Sequence, residues 1–423
     1  MSSSKAILAG AVPWPSATLA VRPSPQQFIE TWIDAIGGLL LCVIIPASIV
    51  GATGQSIMVT VGAYGIAWYC GYHLGALPGV TPHGKIGYVA PVAIVTYSVL
   101  SVVLSLVGSD MARDQLLCSG ALVLLWLVVV AQLRSRYLVR NYAVVPSSLI
   151  EAMPTLRDCR WLDFDDVSRG QVRVAAIATD LGAGLSEQQI SSLARAAMAG
   201  VPVLDRRFIV ESLTGRTPLA ALTPNEFGAL LPSSQYLVVR RGIELVLTVL
   251  VLPLLLPVLA VVALLVRLDG PGSVIFKQDR VGRHGRIFRI YKFRSMFHGV
   301  DGPSITATGD PRVTPIGGFL RRYRLDELPQ VANVLLGDMS WVGPRPEALV
   351  LDRLYEKANP HFALRRIVLP GVTGWGQIHE ASKLEYNLKL EYDLYYLKHC
   401  SLWLDLMIVL RTFVVIVGGT GIR

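Results

Sequence analysis

Residues 321–346 read RRYRLDELPQVANVLLGDMSWVGPRP. The stretch sets two carboxylates, Asp326 and Glu327, side by side, with three arginines before them and Pro329 just after. Adjacent acids repel when both are ionised, so a cation must sit near them. The arginines can be that partner. So can a metal ion, which would leave the arginines free to hold a phosphate. Pro329 is unwelcome in a helix interior and tolerated in a first turn. One helix is therefore predicted to end near Tyr323, and another to start with Asp326 as N-cap, run to Leu336 and stop at Gly337. On the plain structural reading, Asp326 only caps that helix and Arg322 pairs with it at the surface. On the chemical reading, the positive helix N-terminus attracts phosphate. A carboxylate kept ionised there can attack a phosphoryl group and form an acyl phosphate. Its neighbour can hold Mg²⁺, which bridges phosphates and offsets developing charge.

Further basic residues lie upstream, in DGPGSVIFKQDRVGRHGRIFRIYKFRSM. Two strand-like pieces, VIF and RIFRIYKF, are joined by a turn containing Gly282 and Gly285. Seven Lys and Arg side chains fall between residues 277 and 294, with Asp279 the only acid. A solvated face can look like this. A phosphate-gripping surface is the sharper alternative, because guanidinium groups match phosphate oxygens in pairs.

The elements that must position these residues belong to an apolar chain. Of 423 residues, 52% are apolar and 16% charged, against a globular norm of about 25% charged. Apolar runs at 35–50, 57–77, 86–107 and 115–133 each approach the roughly 20 residues that cross a bilayer. The loop GATGQS after the first carries no charge, whereas RSRYLVR after the fourth carries Arg134, Arg136 and Arg140. Positive residues stay cytoplasmic, which predicts four crossings with both ends of the bundle inside. A disordered tail is expected over the first thirty residues. The five cysteines show no metal-ligand or pairing pattern and read as free thiols. The net charge of +9 points to anionic lipid and phosphorylated substrates. No helix-turn-helix, zinc or ribonucleoprotein pattern supports nucleic acid.

A fifth run, 242–266, is long enough to span, yet Arg240 and Arg241 precede it while Arg267, Lys277, Arg280 and Arg283 follow it. Both flanks carry the inside signature. Pro253 and Pro257 each remove a backbone hydrogen bond at its centre. The reading favoured over a fifth crossing is a re-entrant helix that breaks there and leaves by the face it entered. Ahead of it, VRVAAIATD, SEQQISSLARAAMAG and VPVLD read as strand, amphipathic helix and strand. They indicate a small Rossmann-like parallel α/β domain without a Gly-x-Gly-x-x-Gly loop. The last apolar run, 401–418, carries Asp405 and Arg411 and reads as an interfacial segment.

FKQDRVGRHGRIFRIYKFRSM, DPRVTPIGGFLRRYRLDELPQVANVLLGDMSWVGPRP, PGVTGWGQI and YDLYYLKHCSLWLDLMIVLRT occur in this order. Together they resemble the bacterial sugar transferases, the monotopic phosphoglycosyl transferases that act on polyprenyl phosphate. The likeness covers about 240–423, and the preceding segments resemble the large branch of the family. That branch includes hexose-1-phosphate transferases initiating exopolysaccharide and O-antigen synthesis. The resemblance implies that Asp326 is the nucleophile that takes a phosphosugar from a UDP-sugar, and that Glu327 is its acidic partner, with Mg²⁺ at the dyad. Lys292, Arg294 and Arg321 fall where the family places phosphate-contacting cations. Arg345 and Arg365 are expected contacts to nucleotide or lipid phosphate. Pro257 is the expected counterpart of the membrane bend, with Pro253 beside it. Leu369, Gly376 and Gly318 depart from the usual pattern and leave the dyad untouched.

The expected architecture is a membrane protein in three parts. They are a four-helix transmembrane domain (1–140), a Rossmann-like α/β cytoplasmic domain (141–235), and a mainly α catalytic domain (236–423) with a few short strands and the re-entrant helix. The expected partners are a UDP-sugar (glucose or galactose first, N-acetylated hexoses open), undecaprenyl phosphate, the lipid bilayer of the bacterial inner membrane, and a second copy of the chain in a homodimer. Two rivals are a non-catalytic scaffold and a transporter built on the four helices. The scarcity of ionisable residues in those helices speaks against the transporter.

Overall fold

The computed structural model describes residues 36–417 except 51–53, 76–85, 109, 138–139, 147–149, 151–152, 157–158, 166–173, 181–183, 220–221, 223–226, 229, 298, 300–309 and 380–384. The expected tail at 1–30 and half of the GATGQS loop lie outside these residues. Two compact units divide the chain, Met1–Thr214 and Gly215–Arg423. The division falls ahead of the 235/236 boundary expected from the sequence.

In the first unit, a π-helical turn, Leu40–Ile44, leads into α1 (Ile45–Val50). Three longer helices follow: α2 (Gly54–Gly75), α3 (Ile86–Val107) and α4 (Asp110–Tyr137). Small residues let them close on one another: Ala63, Ala67 and Ala93 are buried with Cys42, Tyr64, Tyr97 and Leu116. Tyr97 and Ser119 share a hydrogen bond of 3.1 Å inside this core. Large apolar side chains, Ile49, Met58 and Leu106 among them, face outward. Among the described residues, one helix is long and apolar enough to cross a membrane. It lies in the second unit, while Ser56–Tyr69 and Val92–Val107 are shorter apolar stretches.

Beyond the helices, a parallel sheet has the order β2-β1-β3-β4, from β1 (Arg140–Val145), β2 (Cys159–Asp163), β3 (Ala176–Thr179) and β4 (Val203–Asp205). The predicted strand, helix and strand are β3, α5 (Glu187–Met198) and β4. Ser186 and Gln189 form a capping box on α5. Arg140, read as a membrane flank, opens β1 instead. A short helix, α6 (Arg206–Thr214), completes this unit.

The second unit opens with α7 (Ser234–Leu268), which stays helical through Pro253 and Pro257. The break expected at the prolines is therefore not a loss of helix, and the element exceeds the expected 242–266 at both ends. One side is covered toward each end, and its middle is bare. Glu244, Thr248, Val262 and Val266 are covered, whereas Leu250, Leu254 and Val261 are exposed. Arg240, read from the sequence as a charge flanking the apolar run, is 5% exposed. Its guanidinium reaches Glu244 at 3.1 Å, Asp405 at 3.4 Å and the Tyr396 hydroxyl at 2.9 Å, and donates to Ser340 and the Val342 carbonyl.

Next come the hairpin β5 (Ile275–Val281) and β6 (Ile287–Phe293), paired antiparallel as the sequence indicated. Helix α8 (Pro315–Arg322) ends at Tyr323, also as expected. The next element differs. Arg324 takes a left-handed backbone (φ 52°), a 3₁₀ turn spans Leu325–Gln330, and α9 covers Val331–Leu336 with Gly337 closing it. Asp326 is thus no N-cap. It lies inside the 3₁₀ turn, whose shorter repeat accommodates Pro329. Strands β7 (Ser340–Val342) and β8 (Gly371–Thr373) pair in parallel. They are surrounded by α10 (Leu349–Ala358), the 3₁₀ segment Pro360–Ile367, α11 (Trp375–Ile378), α12 (Tyr386–His399) and α13 (Leu402–Val417). Leu404, Met407 and Ile408 are buried on one side of α13, and Phe413 and Val414 are exposed on the other.

Candidate active site

Four pieces of chain form the site. Strand β6 presents Lys292, paired in register with Phe276 of β5. The 3₁₀ turn presents Asp326 and Glu327. The loop after β7 presents Arg345 and α11, which follows β8, presents Gln377; two glycines let these two stretches of backbone meet. A Cβ on Gly343 would come within 2.5 Å of the Leu369 carbonyl oxygen, and one on Gly371 within 2.1 Å of the Gly343 nitrogen. The glycines of VGPRP and PGVTGW therefore serve close backbone approach.

Glu327 is the acceptor at the centre. Lys292 Nζ donates to Oε1 at 2.9 Å and Arg345 Nη2 donates to the same oxygen at 2.5 Å. Arg324 Nη1 and Arg345 Nη1 each reach Oε2 at 3.4 Å. Gln377 Oε1 accepts from both arginines, at 3.0 and 3.2 Å. Burial opposes ionisation of Glu327, but Arg345, Lys292 and Arg324 together hold its carboxyl well below the usual range. Asp326 has the opposite fate. Burial, then the charge on Glu327, pushes it up to about 6, against the pull of Lys292, Arg321 and Arg345. No described residue donates a hydrogen bond to it. One acid is locked ionised and the other is left open: adjacent carboxylates driven apart by their surroundings, as acid–base and nucleophilic sites often require.

The structure sorts the cations named from the sequence. Lys292 and Arg345 touch Glu327 directly. Arg321 donates to Ser295 Oγ at 2.8 Å and lies near enough to Asp326 to favour its charged form. Arg294 belongs elsewhere. Its guanidinium donates to the carbonyls of Val266 (2.7 Å), Gly270 (2.8 Å), Pro271 (2.7 Å) and Ser273 (3.3 Å), closing the C-terminal end of α7. Arg365 is buried behind the cleft, paired with Asp393 at 2.6 Å and Glu347 at 3.4 Å. It donates to the Arg345 carbonyl at 2.8 Å and so supports Arg345 from the rear. Neither Arg294 nor Arg365 faces the dyad as a free phosphate contact. Sequence reading counted Arg324 among the three arginines before the dyad without singling it out, and it missed Gln377. Both lay in quoted motifs, but nothing local marks a left-handed arginine or an amide that joins two guanidiniums.

Paired carboxylates ringed by Lys and Arg are an arrangement suited to phosphorylated substrates. Residues 235–419 match the family described as bacterial sugar transferase. The UDP-N-acetylgalactosamine-undecaprenyl-phosphate N-acetylgalactosaminephosphotransferase of Aeromonas hydrophila is 37% identical over 358 residues, covering 83% of this chain and 84% of that protein. The chain belongs to this bacterial sugar transferase family, in its large branch, and is a transferase. The UDP-glucose:undecaprenyl-phosphate glucose-1-phosphate transferase of Escherichia coli is 44% identical over 180 residues, 41% of this chain and 39% of that protein. An exopolysaccharide production protein of Rhizobium leguminosarum is 40% identical over 189 residues, 42% of this chain but 94% of its own length.

Proposed function

We propose that the chain transfers a sugar-1-phosphate from a UDP-sugar to undecaprenyl phosphate, releasing UMP, and so starts assembly of a cell-surface polysaccharide. The observation that carries this is the divided dyad: Glu327 locked by three cations, Asp326 beside it with no hydrogen-bond donor among the described residues. An Asp326 oxygen attacks the sugar-bearing phosphorus, the bond from that phosphorus to the UMP oxygen breaks, and UMP leaves with the electron pair. A phosphate oxygen of the polyprenyl acceptor then attacks the same phosphorus, and the carboxylate is regenerated. Lys292, Arg321 and Arg345 orient the phosphates and offset their charge, and Arg365 holds Arg345 in place.

Magnesium belongs to the proposal. Among the described residues no group of three His, Cys, Asp or Glu is placed to cage a metal. The dyad instead fits an ion that arrives with the diphosphate, with Asp326 open and Glu327 able to join it once its cations are drawn off, since Mg²⁺ commonly takes one or two carboxylates and fills its shell with phosphate and water. Bound there, it would supply charge neutralisation.

The reading places the chain in the bacterial inner membrane, with the π-helical turn and α1 together, α2, α3 and α4 crossing, α7 re-entrant and the catalytic unit cytoplasmic. The support for re-entry is where α7 is anchored. Arg241 donates to the Val334 carbonyl at 2.7 Å, and the Val266 carbonyl accepts from Arg294. Asn333, beside Val334, bonds the Tyr291 amide of the strand that leads into Arg294. A straight helix would set Arg241 and Val266 roughly 37 Å apart. A homodimer is the proposed unit, carried by the family resemblance.

The test is direct. Incubated with a UDP-sugar and Mg²⁺, the purified chain should carry a phosphosugar on Asp326, and Asp326→Asn should abolish both the adduct and UMP release. Full turnover by D326N would end this reading. UDP-N-acetylgalactosamine leads the donor panel because of the Aeromonas relative, followed by UDP-glucose and UDP-galactose.

A further inference from the structure

We propose that Glu327 occupies the place of a substrate phosphate in the ligand-free chain, and that Arg324 is a phosphate-binding residue held in reserve by it. This rests on the transferase reading above. Carboxylate and phosphate present guanidinium groups with the same paired oxygens, so cations that hold one can hold the other.

Unused donors are what an incoming anion needs. Arg324 engages the protein through Nη1 alone, at 3.4 Å to Glu327 and 3.0 Å to Gln377. Its Nε and Nη2 bond to no described residue. Lys292 likewise uses one of its three donors, on Glu327. Arg324 also holds a left-handed backbone (φ 52°), which non-glycine residues seldom adopt. That places a long cation two residues from Asp326.

Glu327 meanwhile has both oxygens facing cations, so it cannot ligate a divalent ion in this arrangement. Exchange removes the conflict. When a diphosphate enters and takes Arg324, Arg345 and Lys292, Glu327 is released and can turn to Mg²⁺. Diphosphate and Mg²⁺ then bind with positive coupling, each raising the affinity for the other by the same factor.

The experiment measures UDP binding by calorimetry on the full-length chain, with Mg²⁺ or with chelator, alongside thermal melting. In the wild type, Mg²⁺ should tighten UDP binding by about tenfold or more. Glu327→Gln frees the cations, so Mg²⁺-free UDP should bind several-fold tighter than in wild type, and the Mg²⁺ enhancement should fall below about threefold. Arg324→Met should weaken UDP binding by about tenfold while keeping the melting temperature, and so tests the proposal even if E327Q fails to fold. E327Q with wild-type or weaker Mg²⁺-free affinity, or with the full Mg²⁺ enhancement, overturns the exchange. So does unaltered UDP binding by R324M. UMP release from a UDP-sugar by the same wild-type preparation separates the two ideas. Its absence sinks the transferase reading, whereas its presence with unchanged E327Q binding sinks the exchange alone.

Discussion

At the residue scale, the dyad's chemistry depends on one acid ionising late. Asp326 is raised to about 6, first by burial and then by the charge on Glu327. Protonation removes the negative charge that makes the carboxylate a nucleophile, so UMP release should fall about tenfold per unit as pH drops below 6 and level off above it. A pH–rate profile of UMP release checks this, and a limb centred near the ordinary aspartate value of about 4 would contradict it. Most of this site was legible in the sequence: Asp326, Glu327, Lys292, Arg321 and Arg345 all stand at or beside the cleft. Arg294 and Arg365 were misread because charge alone does not reveal which acceptors the fold will bring. Four carbonyls converge on Arg294 and two acids on Arg365. Arg294→Met should therefore destabilise the fold by about 2–4 kcal/mol, through unsatisfied carbonyls at the end of α7. Its KM for UDP-sugar should stay near wild type, and a melting curve with steady-state kinetics reads both.

At the element scale, the sequence placed α7, the β5–β6 hairpin, α8 and the stop at Gly337, because long apolar runs, glycine turns and caps are local signals. It did not place the 3₁₀ turn. Pro329 announced a helix start but could not distinguish a loose first turn from a tighter repeat, and nothing marked the left-handed Arg324 that begins it. The prolines of α7 pose the converse case: they signal disruption, yet the backbone remains helical across them. Proline can bend a helix without ending it when neighbouring groups satisfy the freed carbonyls. In a cysteine-free background, single cysteines at positions 235 and 270 should both label from the cytoplasmic side of sealed vesicles. Replacing Pro253 and Pro257 together by leucine should weaken that common-side labelling. Opposite-side labelling of the unaltered helix would mean α7 crosses.

At the scale of the whole molecule, composition announced an apolar chain, and the ordered motifs announced its catalytic half. The α/β part was only half visible. Strands β3 and β4 were found because a capped helix lies between them, whereas β1 and β2 are short, carry Arg140 and Arg160, and acquire their identity from parallel neighbours. Every residue of the dyad site lies within Gly215–Arg423, and the Rhizobium relative matches across 94% of its own length while covering 42% of this chain. A fragment of residues 215–423, purified from membranes, should therefore retain UMP release within about tenfold of the full chain, measured with the same donor and acceptor. Loss of all activity in a fragment that still melts cooperatively would assign the first unit a catalytic part. One last consequence comes from Arg240, whose guanidinium ties the start of α7 to β7, α12 and α13 through charge and hydroxyl groups rather than greasy contact. Surfactant micelles compete for oily surfaces and have little to offer a cation already satisfied on every side. Solubilisation should strip the lipid from the bare middle of α7 and still leave its root fastened, so the cleft should come out of the membrane with its shape intact.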